Sequence, residues 1–135
     1  MSRVRILLAD DHRGLLDKVV RVLEPEFEVA GTVVDGKALL EAAALLRPDV
    51  VVLDISMPGL DGFEAAGQLK KAGAQVKIVF LTVHCEPEFV RRAFEVGGLG
   101  YVVKTRLASE LLVAIRAALV DHSFISPSVS LEDAH

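Results

Sequence analysis

A chain of 135 residues has the length of one ordinary domain, and its 52% apolar and 25% charged residues exclude a disordered polymer. The 15 basic and 19 acidic residues give a net charge of −4 with no basic run, which argues against direct nucleic-acid binding by this domain. The longest stretch without Asp, Glu, Lys or Arg is the ten residues 122–131, too short and Ser-rich to span a membrane. Cys85 is the single cysteine, which excludes an intrachain disulfide and any multi-cysteine metal site. The apolar run Ile6-Leu7-Leu8-Ala9 ends in two acids and is too short for a signal-peptide core, so a soluble cytoplasmic protein is expected.

From the N-terminus, short apolar runs alternate with amphipathic ones. Residues 4–9 predict a strand, 13–24 a helix, 27–34 a strand and 37–46 a helix. Strand 50–53, helix 62–72, strand 78–81, helix 88–96, strand 101–103 and helix 109–120 follow. Three strands, 6–9, 50–53 and 78–81, are apolar without alternation, as strands covered by helices on both faces require. Asp35 and Asp61 read as helix caps, Asp61 with Glu64 three residues on; Pro87 suits the first turn of the fourth helix and Ser109 the cap of the fifth. Gly73, Gly97 and Gly98 stand where helices should stop. Leu111, Leu112, Ile115, Ala118 and Leu119 form one apolar stripe on the fifth helix. Strict alternation predicts an α/β fold of five βα units with right-handed crossovers, a doubly wound parallel sheet. Residues 121–135 carry Ser four times and no strong period, which predicts a linker or frayed tail.

In open α/β sheets, function collects beyond the carboxyl ends of the strands. The first strand ends in Asp10-Asp11, the third in Asp54, the fourth in Thr82, and Lys104 follows the fifth. If the strand order is 2-1-3-4-5, all five side chains converge on one rim. Three crowded carboxylates repel one another unless cations compensate; Lys104 supplies one charge, and all-oxygen ligands favour Mg²⁺ over zinc for the rest. Asp54, on the central strand, is then placed to act as nucleophile in phosphoryl transfer, with Lys104 neutralising the moving charge and Thr82 able to bond a phosphoryl oxygen.

These residues resemble the receiver domain of bacterial two-component response regulators, the subfamily with a C-terminal helix-turn-helix output domain most closely. The resemblance rests on Leu8-Ala9-Asp10-Asp11-His12, on Asp54 through Met57-Pro58-Gly59-Leu60-Asp61-Gly62, on Leu81-Thr82-Val83-His84 and on Gly100-Tyr101-Val102-Val103-Lys104. It spans residues 4–120 and implies the flavodoxin-like order 2-1-3-4-5, an order known from a chemotaxis member of the same family. It also implies that Asp54 accepts a phosphoryl group from a histidine kinase, a phosphotransfer protein or a small phosphodonor. Asp11, Asp54 and the backbone carbonyl of Ser56 are the implied Mg²⁺ ligands, with Asp10 acting through water. Lys104 is implied to contact the phosphoryl group. Thr82 and Tyr101 form the implied switch pair, Tyr101 turning inward as Thr82 moves. Residues 1–120 are thus expected to form the receiver unit and 121–135 a linker or tail without the output domain. Partner binding or homodimerisation is expected through the face of the fourth helix, fifth strand and fifth helix, near Arg91, Arg92 and Arg106.

Two positions depart from the common pattern. Thr105 stands where many receivers have proline after the lysine, so a trans Lys104–Thr105 peptide is expected. Val83 is bulkier than the small residue usual there and is expected to narrow access to Asp54. His12 and His84 flank the site without a third nitrogen ligand and read as loop residues; Cys85 reads as a helix-cap neighbour without chemistry. An aspartyl-phosphate phosphatase is disfavoured because His12 interrupts the Asp-x-Asp element such enzymes place after the first strand. Gly36-Lys37 lacks the flanking residues of a phosphate-binding loop, and no Gly-x-Gly-x-x-Gly follows the first strand. A phosphate-independent scaffold has no need of the acidic set with Lys104.

Overall fold

The computed structural model describes residues 3–129. Its elements run β1 (Arg5–Ala9), α1 (Arg13–Leu23), β2 (Glu28–Val33), α2 (Gly36–Leu46), β3 (Val50–Leu53) and α3 (Gly62–Lys71). They continue with β4 (Lys77–Thr82), α4 (Pro87–Glu95), β5 (Gly100–Val103), a 3₁₀ turn over Lys104–Arg106, α5 (Leu107–Leu119) and β6 (Phe124–Ile125). The strands form one parallel sheet in the order β2-β1-β3-β4-β5-β6. This is the flavodoxin-like arrangement expected, with one strand more.

The continuous apolar runs are explained by two cores, one on each face. Leu7, Ala9, Val51, Leu53, Ile78, Phe80 and Tyr101 pack against α2, α3 and α4. Their neighbours Ile6, Leu8, Val50, Val52, Val79, Leu81 and Val102 pack against α1 and α5. Successive strand residues point to opposite faces, so a strand buried twice has no polar position to spare. Each fully buried Leu or Ile of these strands contributes about 2 kcal/mol of transfer free energy. Among the described residues no helix is long and apolar enough to cross a membrane.

The local signals mostly act as read. The Asp35 carboxylate accepts from Ala38 N at 2.8 Å and that of Asp61 from Glu64 N at 2.9 Å, capping α2 and α3. Pro87 opens α4. Ser109 does not cap α5, which starts two residues earlier. Leu107 is only 2% exposed, so its packing sets the start, and the Ser109 hydroxyl donates back to Arg106 O at 3.3 Å. The Lys104–Thr105 peptide is trans, as expected.

The larger difference lies after α5. Residues expected as linker or frayed tail add strand β6 along the outer edge of β5. Phe124 N donates to Leu99 O at 2.9 Å, and Ser126 N to Tyr101 O at 2.8 Å. An uncovered edge strand presents unpaired amides and carbonyls, and this segment satisfies them. Val129 is also buried, against the α2–α3–α4 core. Positions 130–135 of the expected tail lie outside the described residues.

Candidate functional site

Three chain segments meet at the carboxyl rim of the central strands. Asp54 directly follows β3, where Asp54 N donates to Ala9 O at 3.0 Å and the Asp54 carboxylate accepts from Ile55 N at 2.8 Å. The peptide beyond is pressed against the start of α3. Gly62 N donates to Ile55 O at 2.7 Å, and a Cβ at position 62 would stand 2.2 Å from Asp54 O. Only glycine admits that approach, so Gly62 helps fix the acid.

Lys104, in the 3₁₀ turn after β5, reaches across to both first-rank acids. Its Nζ lies 2.8 Å from Asp10 Oδ2 and 3.0 Å from Asp54 Oδ2. The three side chains are nearly dry, 10%, 6% and 4% exposed respectively. Burial opposes the ammonium charge, but the bonds from Asp10 and Asp54 outweigh it and hold the lysine pKa above its ordinary 10.5. One cation thus answers two buried carboxylates, and Asp11 adds a third acid, exposed, at the mouth. Ligand atoms of Asp10, Asp11, His12 and Asp54 all lie within 4.8 Å of one another.

Negative charge remains in excess there, and the donors of the three aspartates are carboxylate oxygens. That set fits a hard divalent cation such as Mg²⁺. His12 joins the group through Nδ1, 3.1 Å from both Asp10 Oδ1 and Asp11 Oδ1, with its side chain 68% exposed. His12, expected from sequence to be a loop residue and not a ligand, thus stands within the acidic cluster.

Thr82 ends β4 fully buried, and its hydroxyl accepts from His84 N at 3.3 Å. Tyr101 is also fully buried, already in the inward position that the family resemblance ties to the modified state. The ring is tolerated there because its hydroxyl donates to His84 O at 2.8 Å. Burial first, then electrostatic repulsion from the groups around it, drives the phenol pKa far above its usual range. Ser56 is exposed, and its hydroxyl is bonded to His84 Nε2 at 2.8 Å. The His84 ring stacks on Phe89 with centroids 4.5 Å apart. His84, read from sequence as a plain loop residue, therefore bridges the β3–α3 loop, Thr82 and Tyr101. The sequence places it beside the site but does not show this bridging, since its bonds to Thr82 and Tyr101 use its backbone. Val83 stands 63% exposed.

Comparisons with known proteins identify the family. The model of the response regulator receiver domain matches residues 6–116. The chain is 32% identical over 131 residues to the transcriptional regulatory protein DegU of Brevibacillus brevis, covering 96% of this chain and 56% of that protein. It is 38% identical over 117 residues to LiaR of Bacillus subtilis, covering 85% of this chain and 56% of LiaR. The chain therefore spans about half the length of the curated relatives it matches. Among solved structures, a LuxR-family two-component response regulator from Aurantimonas superposes with a TM-score of 0.91 at 32% identity, covering 98% of this chain and 96% of that one. The signal receiver domain of NarL from Mycobacterium tuberculosis gives 0.84 at 30% identity, covering 89% and 98%. With fold, strand-end acids and lysine all in place, this chain belongs to the receiver domain family of two-component response regulators.

Proposed function

We propose that the domain is a phosphorylation-driven signalling switch, with Asp54 as the phospho-acceptor. The observation that carries this reading is the buried Lys104 ammonium shared between Asp10 and Asp54 beside the exposed Asp11. An Asp54 carboxylate oxygen attacks phosphorus, and the P–N bond of a phosphohistidine on a histidine kinase or phosphotransfer protein breaks, its electron pair leaving on the imidazole. With a small acyl phosphate the bond broken is P–O. Mg²⁺, when bound, neutralises charge on the phosphoryl oxygens. Asp11, Asp54 and the Ser56 carbonyl are its direct ligands in this reading, with Asp10 acting through water.

Lys104 then exchanges part of its contact with Asp54 for a phosphoryl oxygen, and the Thr82 hydroxyl donates to another. Thr82 and Tyr101 form the switch, and the doubly charged group biases it only through contacts that differ between its two states. Residues 1–120 act as the receiver, and the segment after α5 starts as a linker that packs along β5. The output face is that of α4, β5 and α5, with β6 lying on the edge of β5; a second copy of the chain is its first candidate partner. Transcriptional regulation is the process that the names of the relatives suggest, with the cytoplasm as its place in this reading.

The test is intact mass after incubation with a small acyl phosphate, with and without Mg²⁺, for the wild type and Asp54→Asn. The expected result is a Mg²⁺-dependent gain of one phosphoryl group that is lost in the variant. A gain surviving in Asp54→Asn refutes the assignment. No gain from any donor, together with no Mg²⁺ or beryllofluoride binding, favours a phosphate-independent scaffold.

A further inference from the structure

We infer that Ser126, six residues beyond the expected end of the receiver unit, is a positioning residue for Lys104. The inference rests on the phosphorylation reading of Asp54. Ser126 is fully buried although its sequence surroundings read as linker. Four hydrogen bonds hold it, one of them from Val129 N to its carbonyl at 3.0 Å. Its backbone N–H donates to Tyr101 O at 2.8 Å, its hydroxyl accepts from Val103 N at 2.9 Å, and the same hydroxyl donates to Glu110 Oε1. Glu110 lies in the first turn of α5. One serine therefore ties together β5, β6 and α5 at a single point.

That point is one residue from the chemistry. Val103 pairs with Thr82 on the inner side of β5 and is held by Ser126 on the outer side. The chain then enters the 3₁₀ turn whose first residue is Lys104. Lys104 Nζ keeps two short contacts at once in a nearly dry site, which leaves little slack for a displaced backbone. Mere closure of the sheet edge does not need the Ser126 hydroxyl, because Phe124 N already bonds Leu99 O and Ser126 N bonds Tyr101 O. The hydroxyl serves the Val103 amide, the last backbone donor before the lysine, and anchors it to Glu110 at the start of α5. Its loss leaves a buried N–H unpaired and frees the strand end to move.

By the same bonds, the first residues after α5 are wired to the site. A change in how Lys104 is held alters the Ser126 contacts, and this coupling is reciprocal. The start of the segment leading out of the domain thereby senses occupancy at Asp54 through β5.

The experiment compares wild type, Ser126→Ala and Ser126→Thr for phosphorylation rate by an acyl phosphate at saturating Mg²⁺. Mg²⁺ affinity by calorimetry and thermal midpoint are recorded alongside. The expected result is a rate lower by roughly tenfold in Ser126→Ala, unchanged Mg²⁺ affinity, and recovery in Ser126→Thr, which keeps the hydroxyl. A lower thermal midpoint with an unchanged rate reduces Ser126 to a structural role and overturns the inference. Should Ser126→Ala not fold, amide exchange at Val103 in the wild type decides: it slows when beryllofluoride and Mg²⁺ are added, and unchanged exchange overturns the proposal. A wild type that takes no phosphoryl group from any donor defeats the Asp54 reading itself, and this inference with it.

Discussion

The two rims of the sheet carry the same chemical groups to different ends. At the amino rim Arg5 heads β1, Glu28 heads β2 and Asp49 precedes β3. Arg5 Nε lies 3.0 Å from Glu28 Oε2, and Arg5 N donates to Asp49 Oδ2 at 2.8 Å. Those side chains sit in water, with Arg5 34% and Glu28 52% exposed. At the carboxyl rim one cation and two carboxylates lie at similar distances with no more than 10% exposed. Water screens the first set to near neutrality, whereas in the second each charge depends on its partners. Solvent, and not the types of residue present, separates a structural rim from a reactive one.

Lys104→Ala is the strongest way to press on that contrast. It leaves Asp10 and Asp54 facing each other with no cation between them, a loss of about 3 kcal/mol by the usual cost of breaking a buried pair. Urea denaturation at neutral pH measures it, and part of the loss is recovered when Mg²⁺ is added. The pH dependence follows from the direction of the shift. The folded state holds the lysine proton more tightly than the unfolded chain, which releases it around 10.5. The stabilisation is therefore complete below that pH and is lost as pH rises through the higher folded value. Lys104→Ala flattens this alkaline decline. An unchanged alkaline slope in the variant would show that Lys104 is not held by the two acids.

Tyr101 gives a finer probe of the same rim, since it is the sole tyrosine of the chain. Its buried phenol is held neutral well past its ordinary 10.0, so phenolate absorbance should appear only as the protein unfolds in alkali. Ionisation near 10 in the folded protein would mean that the ring stands outward in solution. Tyr101→Phe removes the bond to His84 O and costs about 1 kcal/mol, measured as a shift in the urea midpoint.

What the sequence made legible follows from the physics of each feature. Strands buried on both faces announce themselves as unbroken apolar runs, and Asp10, Asp11, Asp54, Thr82 and Lys104 stand out because each sits where such a run stops. Strand β6 has only two residues, and its pairing comes from the edge of β5, which no local pattern records. Ser126 reaches Val103 across 23 positions and Ser56 reaches His84 across 28, so neither bond has a spacing to read. Ser109 shows the converse: a good local capping residue lost to the burial of Leu107 two positions earlier.

Glu28→Gln tests the other rim and carries the smallest expected effect. It removes the charge facing Arg5 while keeping the size of the side chain and one oxygen that can accept from Arg5 Nε. Arg5 loses little, because Asp49 still accepts its backbone N–H and Leu46 O still accepts from its guanidinium. The expected change in stability is below about 1 kcal/mol at low salt. It should vanish in molar salt, where screening acts over roughly 3 Å, about the length of the contact itself. The Lys104→Ala loss should persist under the same monovalent salt, because charges whose side chains are at most 10% exposed are screened far less than exposed ones. Equal salt sensitivity at both rims would mean that water reaches Asp10 and Asp54 as freely as it reaches Glu28. The buried charge cluster could then no longer be what sets the carboxyl rim apart.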